Sequence, residues 1–391
     1  MSFEFNLSDI VRDIKPSGIR RFFDLVGEMD GAISLGIGEP DFVTPWHIRD
    51  AGIRSLEKGQ TYYTANSGLK NLRNEICNYF ERRFNLSYNE NEVLVTVGGS
   101  EAIDLCIRAL VSEGDEVLIP EPCFVCYDPC VRLAHGIPVP IVTEEKDDFI
   151  LTPEKLKEKI TPKTKLLILP FPNNPTGAIM DKEQIEAIAD VLKDTNIAVL
   201  SDEIYGELTY GKKHFSIANV PEMKDRTIIV GGFSKAYAMT GWRLGFAVGN
   251  NSVISAMTKV HQFAIMSAPT TSQYAAIEAL KNGDADIEEM ASQYDLRRRY
   301  LIDRLNKMGL KCFEAKGAFY VFPSIKITGL KSEDFCKQLL EKKKVAVIPG
   351  TAFGESGEGH IRISYAYSIE TITKALDKIE EFLKELGVNF K

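Results

Sequence analysis

Nothing in the sequence approaches the roughly 18 consecutive apolar residues of a membrane-spanning helix. The opening stretch, MSFEFNLSDIVRDIKPSGIRRFF, lacks the basic start and apolar centre of a secretory signal. Positive charge is also short: 47 Lys and Arg stand against 55 Asp and Glu, a formal net charge of −8. Nucleic-acid binding needs a basic face, which this balance does not supply. Seven cysteines is an odd number, so thiols in a reducing cytosol fit better than a disulfide framework. Internal repeats, low-complexity stretches and Ser-, Pro- or Gly-rich linkers are missing as well. What remains is an ordinary globular mixture, 44% hydrophobic and 26% charged. With 391 residues the prior is roughly two or three domains, with a core large enough to hold without staples. The expectation is a cytoplasmic protein with no membrane and no nucleic-acid partner.

From about Leu72 to Val248, short apolar runs alternate with helical patterns. The strand candidates are Glu92–Val97, Glu116–Pro120, Ile137–Val142, Lys165–Pro170, Asn196–Ser201, Thr227–Gly231 and Gly245–Val248. Runs such as LLIL and IAVL are continuous rather than alternating, as in parallel strands buried on both faces. The fold class expected is α/β, a large domain whose seven-stranded, mainly parallel sheet is sandwiched by helices, plus a smaller α+β domain. The smaller unit draws on a helix at Ile287–Lys307, a strand at Ala318–Phe322, a helix at Ser332–Lys343 and an apolar run at Lys344–Ile348. The strand His360–Ser364 and a closing helix from Glu370 complete it. The domain boundaries expected are 1–44 for an N-terminal arm, 45–285 for the large domain and 286–391 for the C-terminal small domain.

In an open parallel sheet, ligands sit beyond the carboxyl ends of the strands. After EVLVTV comes Gly98-Gly99-Ser100-Glu101 opening a helix, whose free N–H groups attract an anion. It lacks the Gly-Lys-Ser/Thr ending of a nucleoside-triphosphate loop. After KLLILP comes the Pro-rich turn Phe171–Gly177 with Asn174; after IAVL come Asp202 and Tyr205; after TIIVGG comes Lys235, with Arg243 eight residues on. Each has a plain reading by itself: a helix-start turn, a Pro/Gly turn, a capping Asp, a solvated loop. A lysine directly behind a buried strand is the unusual feature, because desolvation would lower its pKa and make it a nucleophile and base. Cys123, Cys126 and Cys130 with His135 lack the paired spacing of a zinc site, so small buried thiols are the default and no metal is expected. His261 and His360 read as structural or supporting residues, and Glu39 and Asp41 sit in a Gly/Pro turn, for backbone reasons or to line an entrance.

Taken together, an anion cradle, an amide, a carboxylate with a phenol, and a lysine with an arginine suit one cofactor, pyridoxal 5′-phosphate. The sequence resembles the fold-type I aminotransferases of the class I/II, aspartate aminotransferase-like superfamily. The likeness runs from Leu35–Phe42 to Ile361–Ala366 and is most specific at Gly232–Gly245, with its Met-Thr-Gly-Trp-Arg segment. The resemblance implies that Lys235 bonds to the cofactor and moves the substrate proton, and that Asp202 pairs with the pyridine nitrogen. Tyr205 and Asn174 would hydrogen-bond the ring oxygen, and Phe124 would stack on the ring. The N–H groups of Ser100 and Glu101, with Arg243, would hold the phosphate. Some relatives have a serine where this chain has Gly232, which leaves one phosphate contact missing. Tyr63 would reach the phosphate of a second subunit, implying a homodimer with shared active sites. Arg362 would grip the substrate carboxylate, a planar pairing that lysine does not reproduce, with Asn174, Gly38 and Ile19 also facing substrate.

Dicarboxylate-specific relatives bring a second cation to the distal carboxylate. No arginine occurs from Leu244 to Leu296, and Ser100 and Glu101 are not basic. The expectation is therefore an aminotransferase favouring aromatic or large neutral donors, with 2-oxoglutarate as acceptor, by a ping-pong mechanism. The arm around Ile14–Ile19, with Phe22 and Phe23, would provide an apolar lid. Alternatives are aspartate, alanine or N-acetyl-diaminopimelate as donor, a β-lyase on the same fold, or, remotely, a ligand-sensing regulator.

Overall fold

The computed structural model describes residues 5–16, 18–19 and 31–388. Phe22 and Phe23 lie outside the described residues. A short helix at Asp9–Asp13 comes first in the chain; a two-residue strand, β1 (Ile33–Ser34), follows, and then a large sheet. Its strands are β2 (Val93–Thr96), β3 (Glu116–Glu121), β4 (Ile137–Val142), β5 (Thr164–Leu169), β6 (Ala198–Asp202), β7 (Thr227–Gly232) and β8 (Gly245–Gly249). The spatial order is β2-β8-β7-β6-β5-β3-β4. Only β8 runs antiparallel to its neighbours. All seven expected strands are present, with ends shifted by a residue or two; Asp202 closes β6 opposite Val230.

The continuous apolar runs are explained by burial on both faces. Side chains alternate across the sheet: Leu166 and Ile168 join a core with helix Gly99–Leu110, while Leu167 and Leu169 face a core on the other side. Because β8 is antiparallel, its starting end lies at the same sheet edge as the finishing ends of β2, β6 and β7. Arg243 thus arrives over Gly98 and near Lys235.

The C-terminal part forms a three-stranded antiparallel sheet of β9 (Tyr320–Val321), β11 (Ile348–Pro349) and β12 (Ile361–Ser364), in the order β11-β12-β9. Strand β10 (Val345–Ala346) pairs instead with β1, in parallel. Two expected elements are corrected here. Ala318–Phe322 shortens to β9, and Lys344–Ile348 divides into β10 and β11, because its two halves bond to different partners. The long helix spans Asp284–Lys307, and the last helix, Ile369–Glu385, is capped by Ser368 Oγ accepting from the Thr371 N–H at 3.2 Å.

Candidate active site

A cavity of about 240 Å³ opens at the shared sheet edge. Its wall includes Ser100, Phe124, Asn174, Asp202, Tyr205, Lys235, Arg243 and Arg362, and also Ile19 and Gly38. The structure brings together ten of the residues that the sequence singles out. Glu101 and Tyr63 are not in this wall.

Lys235 follows β7 after a Phe-Ser pair, and its Nζ donates to the Gly38 carbonyl at 2.6 Å. Its exposure is to the cavity. Burial pulls the amine down to about 8; Glu39 opposes that, and Arg362 and Arg243 deepen it. Asp202 is buried, with Oδ2 accepting from the Tyr127 hydroxyl at 2.7 Å and Oδ1 from the Ile204 N–H at 3.2 Å. Burial raises its pKa despite these bonds. Among the described residues no cation pairs with this carboxylate.

Arg362 stands on β12 and is 2% exposed. Nη1 donates to Asn174 Oδ1 at 2.8 Å and Nη2 to the Gly36 carbonyl, while Nε is buried with no partner among the described residues. The guanidinium carbon lies 4.4 Å from the Tyr320 ring centre and 4.8 Å from that of Phe353. Asn174 owes its placement to a rigid turn, in which the neighbouring Asn173 Oδ1 accepts from the Thr176 N–H and hydroxyl at 3.1 and 2.8 Å. Tyr205 shares a hydrogen bond with Tyr320, oxygen to oxygen 2.9 Å.

Helix Gly99–Leu110 begins at Gly98, with φ 79° and ψ 169° and no side-chain cap. Its first N–H groups are thus turned to the cavity edge, the positive end of a helix dipole. Arg243, itself at φ 52°, bonds the Thr240 carbonyl at 3.1 Å and lies over the Gly98 α-carbon. The approach depends on glycine at Gly245 too, where a Cβ would stand 2.5 and 2.6 Å from Gly98 C and Gly99 N.

The expectation for Glu101 concerns its N–H alone, and its side chain is engaged elsewhere. It turns back to accept from the Val97 N–H at 2.5 Å and pairs with Nδ1 of fully buried His261 at 2.8 Å. Only its backbone faces the cradle. His360 stacks on Phe322, ring centres 5.1 Å apart, away from the cavity wall. Tyr63 is 82% exposed on the surface. All seven cysteines are free, and among the described residues no three His, Cys, Asp or Glu side chains form a metal-binding group. Two functional candidates escaped sequence reasoning, Tyr127 and Tyr320. Tyr127 had a faint signal, one helical turn beyond Phe124. Tyr320 had none beyond lying in a strand.

The residues fit pyridoxal 5′-phosphate on three independent observations. A buried carboxylate lacks a cation, an uncapped helix start beside an arginine lacks an anion, and a desolvated lysine lines the space between them.

Comparison with known proteins agrees. Residues 30–379 match the family model described as aminotransferase class I and II. YugH of Bacillus subtilis, an aminotransferase by name, is 53% identical over 96% of this chain and 98% of its own. An aspartate aminotransferase of Pyrococcus abyssi is 44% identical over 97% and 98%. The solved structure of an aromatic aminotransferase from Pyrococcus horikoshii superposes with a TM-score of 0.90 at 42% identity, covering 95% of this chain and all of that one.

Proposed function

The chain belongs to the class I and II aminotransferases and is a pyridoxal-phosphate-dependent enzyme, and from that premise we propose that it favours aromatic or large neutral amino donors, with 2-oxoglutarate as acceptor. The observation that carries this reading is the set of cations that the described residues bring to the cavity wall, which is Lys235, Arg243 and Arg362. Lys235 and Arg243 are engaged by the cofactor in this scheme, leaving, among the described residues, Arg362 for the α-carboxylate and none for a second carboxylate buried nearby. Arg297, the first arginine after Leu244, bonds Asp41 at 2.7 Å and stacks on Phe42 and Tyr294, away from the cavity wall. Ile19 and Phe124 supply apolar wall instead. Aspartate is the second reading, since the P. abyssi relative carries that name. The test is a matrix of kcat/KM with 2-oxoglutarate: phenylalanine or tyrosine should exceed aspartate, and a clear win for aspartate refutes the assignment. Pyruvate and free thiol released from a cysteine conjugate without any oxo acid would instead mark the lyase.

Bound pyridoxal 5′-phosphate supplies an electron-withdrawing ring that acidifies the substrate Cα–H bond. The chain supplies the rest. The first-turn N–H groups of Ser100 and Glu101 and the Arg243 guanidinium hold the phosphate. Asp202, oriented by Tyr127, keeps the ring nitrogen protonated, and Phe124 covers the ring face. Tyr205 and Asn174 hydrogen-bond the ring oxygen. Arg362 would orient the substrate through its carboxylate, and the Lys235 amine would hold and move the proton from Cα. The second half-reaction reverses these roles.

A homodimer completes the proposal. Tyr62 and Tyr63 (81% and 82% exposed), Phe263 (87%) and Trp46 (62%) are large exposed apolar side chains that a second copy would cover, and Tyr63 would reach the second copy's phosphate. We place the enzyme in the cytoplasm, where seven unpaired thiols are stable, and divide the chain as 1–44, 45–285 and 286–391. Among the described residues no helix is long and apolar enough to cross a membrane.

A further inference from the structure

Strand register sets Tyr320 against two of the site's working groups at once. In the β9–β12 pair Ser364 lies opposite Tyr320. Arg362, two residues before Ser364, therefore shares the sheet face that Tyr320 occupies. The ring of Tyr320 carries the Arg362 guanidinium on its face at 4.4 Å. At the far end of the same ring, its hydroxyl meets that of Tyr205 at 2.9 Å, the two rings edge to face with centres 5.8 Å apart. The hydroxyl is fixed from the side as well, because a Cβ on Gly38 would overlap it, and the Gly38 carbonyl takes the Lys235 ammonium. Both phenols are buried. Phenylalanine would pack this face equally well, so the hydroxyl calls for a role of its own.

We propose that Tyr320 is a positioning residue that couples occupation of Arg362 to the hydrogen-bonding strength of the Tyr205 hydroxyl. The inference rests on the reading of Arg362 as the carboxylate site and of Tyr205 as a partner of the cofactor's ring oxygen. Either hydroxyl can donate in the Tyr205–Tyr320 bond; with the Tyr205 proton given to the ring oxygen, Tyr320 becomes the donor to the Tyr205 oxygen, and hydrogen bonds in series strengthen one another. A carboxylate on Arg362 offsets the positive charge over the Tyr320 ring, which weakens that phenol as a donor, and Tyr205 weakens with it. The bond from Arg362 to Asn174 is a separate route between the same regions, so losing the Tyr320 hydroxyl reduces the coupling without abolishing it. The charged groups facing the phenol pair are Arg362, Asp202 and Glu39, with Lys235 beside Gly38. All four stay in place in both Tyr320 variants.

Wild type, Tyr320→Phe and Tyr320→Leu are compared as holoenzymes and after removal of cofactor. The pH midpoint of the visible band of the lysine-bound cofactor is titrated with and without saturating 3-phenylpropionate, a carboxylate with no amine to react. Tyr320→Phe should raise the ligand-free midpoint by at least about 0.3 pH unit, a twofold change, and cut the ligand-induced rise to about half or less. By calorimetry on the cofactor-free proteins, 3-phenylpropionate should bind Tyr320→Phe within about twofold of wild type. Tyr320→Leu should bind it roughly 2- to 30-fold more weakly, because only that variant removes the ring beneath the guanidinium. A ligand-induced rise in Tyr320→Phe equal to that of wild type overturns the coupling. Failure of the underlying reading looks different: wild type would then show no visible band with cofactor, or Arg362→Ala would bind 3-phenylpropionate as wild type does.

Discussion

Gly98→Ala tests whether one bare α-carbon holds the phosphate end of the site in shape. Gly98 stands at φ 79° and ψ 169°, a region open almost only to glycine, where a side chain costs about 1–3 kcal/mol. The added Cβ would lie 2.8 Å from Arg243 Nη2. Arg243 is exposed and flexible enough to swing aside, so the clash itself relaxes cheaply. The consequence is electrostatic, since the guanidinium leaves the mouth of the helix. One charge-assisted hydrogen bond to phosphate is worth about 1.5–3 kcal/mol, which is roughly a 10- to 150-fold rise in the cofactor dissociation constant. Melting of the cofactor-free protein should fall by a few degrees, the backbone cost alone. Fluorescence titration of cofactor into the apo forms of wild type, Gly98→Ala, Arg243→Ala and the double variant provides the assay. The two losses should overlap rather than add, because both remove the same contact. Affinity of Gly98→Ala within about threefold of wild type, or fully additive losses, refutes the argument.

Two pH effects follow from the same charges. With its amine held at about 8 by burial, Lys235 is a nucleophile only when neutral, so cofactor uptake by the apo-protein should accelerate as pH rises through about 8 and then level off; a rate unchanged across that range contradicts it. His47 bonds Glu278 at 2.8 Å and Asp286 at 2.9 Å. Burial lowers its pKa, but the two carboxylates outweigh that and the net shift is upward. A folded-state pKa above the unfolded value of roughly 6.5 stabilises fully below that pH and loses the contribution as pH climbs through the folded value. The melting-temperature gap between wild type and His47→Gln should accordingly be widest near pH 5.5 and narrow towards pH 8.5, whereas a constant gap counts against the pair.

The parts of the fold legible in the sequence are those with local causes. LLIL and IAVL announce buried strands because every residue of such a strand meets a core, and a lysine just behind one of them is conspicuous in sequence alone. Lys235, Asp202, Asn174 and Gly98 each follow or end a strand, so the sheet gathers them whatever the loops do. Legibility fails where a residue serves a partner far along the chain. The pairing of the Glu101 side chain with His261, 160 residues on, has no sign in the sequence. The run Lys344–Ile348 looked like one strand, but Val345–Ala346 bonds β1 and Ile348–Pro349 bonds β12. Tyr320 reaches Arg362 only through the register of a two-residue strand, which no periodicity can reveal.

Two buried charges of the scaffold contrast with two of the site. Glu203 and Arg298 each have several partners. Glu203 accepts from Ser201 and Ser216 through one oxygen and lies 2.8 Å from His214 through the other. Arg298 is divided between Asp295 and the Ala315 carbonyl. Beside Glu203 in sequence, Asp202 is as deeply buried yet has only a phenol and an amide, and Arg362 keeps a buried Nε unpaired. Leaving such groups short of partners costs stability, and the fold bears that cost at both Asp202 and Arg362 within one cavity. Burial shifts Asp202 upward, and a cation brought against it would stabilise the carboxylate and draw its pKa down. A protonated ring nitrogen meets that need at Asp202, a carboxylate meets it at Arg362, and a site so arranged holds each charge in waiting for the group that neutralises it.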